Sequence, residues 1–127
     1  MATSTAFGNK LTWAARILLI LAFGAAGASK LMAVPQMVEV FEKVGMGQWL
    51  RVLTGSIEIV GALLLAIPAT GLLGALLLGG TMVGAVATHL FLIGGSPVPA
   101  IVLGLLCAFV VFRLWRSQAP QFLSRLI

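Results

Sequence analysis

Four stretches of this chain are apolar for about the 20 residues that a helix needs to cross a bilayer, and short polar or turn-forming runs separate them. The spans read as roughly Leu11–Met32, Gln48–Ile67, Leu72–Ile93 and Val98–Trp115. Pro68-Ala69-Thr70-Gly71 and Gly94-Gly95-Ser96-Pro97 supply two tight turns. Between the first two spans the pattern changes. Val34, Met37, Phe41 and Val44 fall on one side of a helical wheel, with Glu39, Glu42 and Lys43 on the other, behind Pro35 and ahead of Gly45 and Gly47. That pattern predicts a short amphipathic helix over roughly 35–45, lying at the membrane surface; a surface loop with one helical turn is the alternative. Residues 1–10 read as a short polar tail. Beyond Trp115, Pro120 precedes Phe122, Leu123, Leu126 and Ile127, which alternate with Gln121, Ser124 and Arg125 and suit the interface. The expected fold is all-α: one domain over 1–127, a polytopic, antiparallel four-transmembrane-helix bundle with an interfacial helix between its first two spans.

Composition supports that class. Of 127 residues, 61% are apolar and 9% charged, with a mean hydropathy of +1.15, whereas soluble domains carry about 25% charged residues. The formal charge of +5 rests on too few cations to suit nucleic acid. These cations cluster near span ends, where they meet headgroups and set orientation. Trp13, Trp49 and Trp115 all fall at predicted span ends, as interfacial aromatics should. Four spans place both termini on one side, with Lys10, Arg16, Arg113, Arg116 and Arg125. The other side has Lys30, Lys43 and Arg51, diluted by Glu39 and Glu42. Both termini are therefore expected in the cytoplasm. The start has the charged, apolar and small-residue order of a signal peptide, but its apolar run continues to Met32 and is long enough to be retained as a span.

One cysteine, Cys107, and one histidine, His89, are present. They exclude an intrachain disulfide, a CxxC redox pair and a bis-histidine haem within the chain, and no cluster has metal-ligand spacing. Cys107 reads as a small buried apolar side chain. No catalytic residue is assigned, and whether the chain is itself an enzyme stays open. Gly80-Thr81-Met82-Val83-Gly84 matches GxxxG. Packing within the bundle is expected of it ahead of dimerisation, with a homo-oligomer as the alternative.

The most informative residue is Glu58, centred in the second span. A charged group there costs roughly 2.5–3.5 kcal/mol on insertion scales, so it needs a partner or a neutral form. Arg51, Thr54, Glu58 and Gly61 share a stripe, as do Arg16, Phe23, Gly27 and Lys30 in the first span. Two readings follow. In one, Glu58, Arg16, Lys30, Arg51, His89 and Thr54 enclose a polar ligand pocket, helped by Ser29 and Thr88, and surplus positive charge holds the oxygen of a lipophile such as a quinone. In the other, Glu58 makes one structural pair with Arg16, while Lys30 and Arg51 snorkel to phosphates.

Arg16 through Leu31, an arginine, an apolar run, a glycine-containing segment and a Lys30-Leu31 pair, resembles the first helix of DoxX-like membrane proteins. Gly55-Ser56-Ile57-Glu58-Ile59-Val60-Gly61-Ala62 is similar to that family's acidic second helix, and His89 to the polar end of its third. The resemblance covers nearly the whole chain. It implies a four-helix bundle in a bacterial cytoplasmic membrane and, for some members, association with quinone-linked oxidoreductases. The expected role is an accessory subunit that contacts quinone and membrane redox proteins in the lipid bilayer. The alternatives are a non-catalytic interaction or assembly protein, and a transporter of a small lipophile or protons.

Overall fold

A computed structural model describes residues 2–126, with the backbone path alone given for 2–5 and 119–123. The chain forms five α-helices: α1 (Ala2–Leu31), α2 (Pro35–Val44), α3 (Trp49–Ala66), α4 (Gly71–Thr88) and α5 (Val98–Leu126). A 3₁₀ turn at Pro68–Thr70 joins α3 to α4, and a π-helical turn at His89–Ile93 follows α4. There is no strand among the described residues. Four helical stretches are long and apolar enough to cross a membrane: Ala6–Leu31, Trp49–Ala66, Pro68–Ile93 and Val98–Gln118. The chain is thus an all-α polytopic membrane protein. α1 packs on α3, α3 on α4 and α4 on α5, and a sparser contact between α5 and α1 closes the ring. Both termini and the Pro68–Thr70 turn lie at one end, the terminal end. α2 and the π turn lie at the other.

Leu19, Phe23, Leu65, Leu78, Cys107 and Val110 are fully buried at the centre. Lipid tails are as apolar as these side chains, so the association of the helices depends on close packing rather than on apolar burial alone. Small residues provide it. A Cβ on Gly27 would lie 2.9 Å from the Gly55 carbonyl oxygen, and one on Gly55 would lie 2.9 Å from Lys30 Cβ. A Cβ on Gly74 would lie 2.8 Å from the Gly61 carbonyl oxygen. The α1–α3 and α3–α4 seams are therefore backbone-to-backbone contacts.

Several details depart from the sequence-based expectation. Gly80 and Gly84 do not pack within the bundle: a Cβ on either would meet nothing within 4 Å. Residues 2–10 are not a polar tail but the first turns of α1. Gly8 seats the Arg113 guanidinium, and Thr12 donates to the Gly8 carbonyl while accepting from Arg113 Nε at 3.2 Å. At the other terminus α5 runs past Trp115, and Gln118 donates to the Pro68 carbonyl at 3.1 Å. Trp13 and Trp115 consequently lie inside their helices rather than at the ends. The side chains of Phe122 and Leu123, and Ile127 altogether, lie outside the described residues.

At the α2 end, the peptide N–H of Val34 bonds the Ser29 carbonyl and that of Ala33 the Lys30 carbonyl. This closes α1 in the Schellman pattern. Ala33 holds the left-handed position at φ 55°, which glycine would take without steric penalty. Pro35 then opens α2 at its first turn, where its missing N–H is harmless. α2 buries Phe41 and exposes Glu39, Glu42 and Lys43, the face division expected of an interfacial helix.

Replacing Gly27 or Gly55 by Ala is expected to destabilise the bundle by about 1–3 kcal/mol through overpacking against backbone, whereas Gly84→Ala should be near neutral. Unfolding in mixed micelles titrated with a denaturing detergent measures the contrast.

Candidate functional site

The α1–α3 seam carries a buried ion pair. Lys30 Nζ lies 2.7 Å from Glu58 Oε1. Helix direction explains the meeting. Side chains tilt toward the N-terminus of their own helix. α1 runs toward the α2 end, so Lys30 in its last turn leans back into the membrane. α3 runs the opposite way, so Glu58 leans out toward Lys30. Gly55, one turn before Glu58, lets the Lys30 stem cross without obstruction. The Glu58 side chain is 2% exposed and that of Lys30 15%. The carboxylate is sealed, while the lysine side chain, whose ammonium has three donors, keeps part of its surface exposed.

The structural pairing with Arg16 is overturned by the same geometry. Arg16 leans toward the terminal end, away from Glu58. Its Nε donates to the Leu65 carbonyl at 2.9 Å and its Nη2 to the Ile67 carbonyl at 3.1 Å. The guanidinium also stacks on Trp13, 3.9 Å from the ring centroid, and presses on Gly71, where a Cβ would lie 2.5 Å from Nη2. Arg16 thus satisfies carbonyls left free where α3 ends, and its 2% exposure is supported by hydrogen bonds and stacking rather than by an anion.

Arg51, in the first turn of α3, leans out of the membrane. Its Nη1 donates to the Lys30 carbonyl and its Nε to Gln48 Oε1 at 2.8 Å. Gln48 in turn donates to the Val38 carbonyl at 3.1 Å. This chain of bonds ties the end of α1, the interfacial helix α2 and the start of α3 into one unit directly above the ion pair. Gln48 was not singled out by the sequence; its place just before the second span, three residues ahead of Arg51, is the only signal. His89 is occupied locally, its Nδ1 2.9 Å from the Gly94 carbonyl oxygen, and Thr88 donates to the Gly84 carbonyl. Thr54 is half-buried one turn before Glu58, and Ser29 donates to the Ala25 carbonyl. Of the six pocket candidates, the structure brings Lys30 and Glu58 into direct contact and places Arg51 above them. Arg16 and His89 are engaged elsewhere. Among the described residues, no group of three or more His, Cys, Asp or Glu side chains gathers to hold a metal.

A family model described as the DoxX-like family matches residues 14–113. The chain belongs to that family. Neither a curated protein nor a solved structure matches it. The matched range includes Arg16, Lys30, Glu58 and His89, and stops short of Trp115 and Arg116.

Removing one partner of a buried pair strands the other charge, at about 3–5 kcal/mol. Lys30→Met should therefore destabilise the bundle by that order, and the double change Lys30→Met with Glu58→Leu should recover most of the loss. A double-mutant cycle in micelles tests this; additive losses would show that the two residues are not coupled.

Proposed function

We propose that this DoxX-like membrane protein is an accessory subunit of a quinone-linked membrane oxidoreductase, in which the Lys30 ammonium meets a carbonyl oxygen of the quinone and Glu58 anchors the ammonium. The observation that carries this reading is the asymmetry of the pair, a sealed carboxylate beside a partly exposed lysine side chain. Such a site offers hydrogen-bond donors to a lipophile that has acceptors, and a quinone is apolar with two acceptor oxygens. Redox centres would come from partner proteins, since Cys107 is buried without a second thiol and the single histidine is hydrogen-bonded to Gly94. The Lys/Arg distribution favours both termini in the cytoplasm, and the family resemblance favours a bacterial inner membrane.

A second reading, a membrane assembly protein without a ligand, is favoured by the open Gly80–Gly84 face. Small residues on an open helix face let another helix approach closely.

In vesicles containing a short-tailed quinone, the wild-type protein should bind saturably, and Lys30→Met should weaken binding about tenfold or more. Absence of saturable binding, or binding indifferent to both Lys30→Met and Glu58→Gln in folded protein, would sink the quinone reading. The assembly reading instead expects a stoichiometric co-purifying protein that is lost with Gly84→Leu and kept with Lys30→Met. Reporter fusions at either terminus should report from the cytoplasm; a periplasmic report from both would reverse the orientation.

A further inference from the structure

Across the helix ring from the ion pair, α4 and α5 leave a groove of about 530 Å³ open to the membrane. Its floor is Gly79, Gly80, Gly104 and Ala108, and Phe112 and Trp115 wall its terminal end. It is almost wholly apolar. From Gly104 to Trp115 it follows α5 for about 16 Å, close to the depth of one leaflet of a roughly 30 Å hydrocarbon core. A hydrocarbon chain laid along α5 would meet apolar side chains and bare glycine backbone over that whole length.

The terminal end of the groove has a charge. Arg116 follows Trp115, and its guanidinium lies 5.5 Å from the Phe112 ring centroid, so the cation sits beside the mouth. Arg116 is exposed, and the ion pair among the described residues is Lys30–Glu58. The chain's three acidic residues are Glu39, Glu42 and Glu58, none of them at the terminal end, where Lys10, Arg113, Arg116 and Arg125 lie. Among the described residues, no acidic side chain faces the cations at that end. Basic residues next to a membrane span attract anionic headgroups.

We propose that the α4–α5 groove holds one acyl chain of an anionic phospholipid whose phosphate is bound by Arg116. The groove supplies the fit to the chain and Arg116 the preference for the headgroup. Trp115 and Arg116 lie beyond the family match, so the proposal rests on this chain's own residues and not on the family. The proposal is independent of the quinone reading, which concerns the α1–α3 seam.

The test is native mass spectrometry of the full chain released from vesicles of phosphatidylglycerol and phosphatidylcholine with identical acyl chains. Phosphatidylglycerol should be retained at least fivefold over phosphatidylcholine. Arg116→Gln should bring the ratio near one, and Arg116→Lys should keep most of the preference. Gly80→Leu fills the groove from a position where a Cβ meets nothing within 4 Å, and should reduce retention of both lipids. Gly84→Leu, outside the groove, should change neither. Equal retention of the two lipids by wild type, or a preference unchanged by Arg116→Gln, would overturn the proposal. So would loss of a dimer in Gly80→Leu with lipid retention intact, which would make the groove a contact between copies.

Discussion

A carboxylate cannot stand alone in a bilayer. Glu58 sits about 14 Å into α3 at the helical rise, and its surroundings are arranged so that one ammonium can reach it. The requirement propagates outward from the pair. For Lys30 to lean into the seam, α1 and α3 must run antiparallel and almost touch, which Gly27 and Gly55 permit because neither has a Cβ. For the last turn of α1 to hold its position, the chain must leave it sharply, which the Schellman closure through Ala33 and Val34 provides. For the start of α3 to stay beside it, Arg51 bonds the Lys30 carbonyl and Gln48 fastens α2. Two charges in the seam thus account for the glycines, the strained Ala33 and the position of the interfacial helix.

The remaining long polar side chains solve a different problem. Every transmembrane helix ends in carbonyls without intrahelical partners, and in a membrane few waters are present to satisfy them. Arg16 serves the end of α3, Arg51 the end of α1, and Gln118 the Pro68 carbonyl of the turn between α3 and α4, while Gln48 tethers α2 through the Val38 carbonyl within it. Cations at helix C-termini also oppose the negative end of the macrodipole. What looks in the sequence like a surplus of positive charge around one carboxylate is mostly capping chemistry spread over both ends of the bundle. Lys30 alone is left for Glu58.

This division also marks how much the sequence could reveal. The four membrane-spanning helices and the amphipathic helix were legible because a bilayer imposes one length and one polarity on whatever crosses it. The inward stripes were legible too, because helical periodicity alone puts Arg51, Thr54 and Glu58 on one face. Partner choice was not. It depends on the tilt of each side chain toward the N-terminus of its own helix, which takes Arg16 to the carbonyls at the C-terminal end of α3 and brings Lys30, fourteen positions later on α1, back to Glu58 at mid-helix. Depth along the membrane normal, taken without that tilt, makes Arg16 seem a fair partner for Glu58. The Gly80–Gly84 pair failed for a related reason. A small-residue motif says that a backbone can be approached, not which neighbour approaches it, and here Gly61, Gly71 and Gly74 mediate the internal contacts instead. The helix ends were missed because hydropathy marks where lipid stops, while α1 and α5 continue by bonding each other through Thr12 and Arg113.

The bundle is therefore two-sided in a way that matters for what it can bind. On the α1–α3 side, polar groups are spent on one another and the Lys30 side chain stays partly exposed, which favours a ligand that offers an acceptor. On the α4–α5 side the surface is apolar and incompletely filled, since Gly79, Gly80 and Gly104 lack the side chains that would close it. An unfilled apolar groove forfeits dispersion contacts along its walls, and in a membrane the nearest material able to restore them is hydrocarbon. The cation at its terminal end then decides which hydrocarbon-bearing molecule gains most from settling there. Both faces follow one rule: position by position, whatever group the bundle does not satisfy internally defines the chemistry it can take from outside.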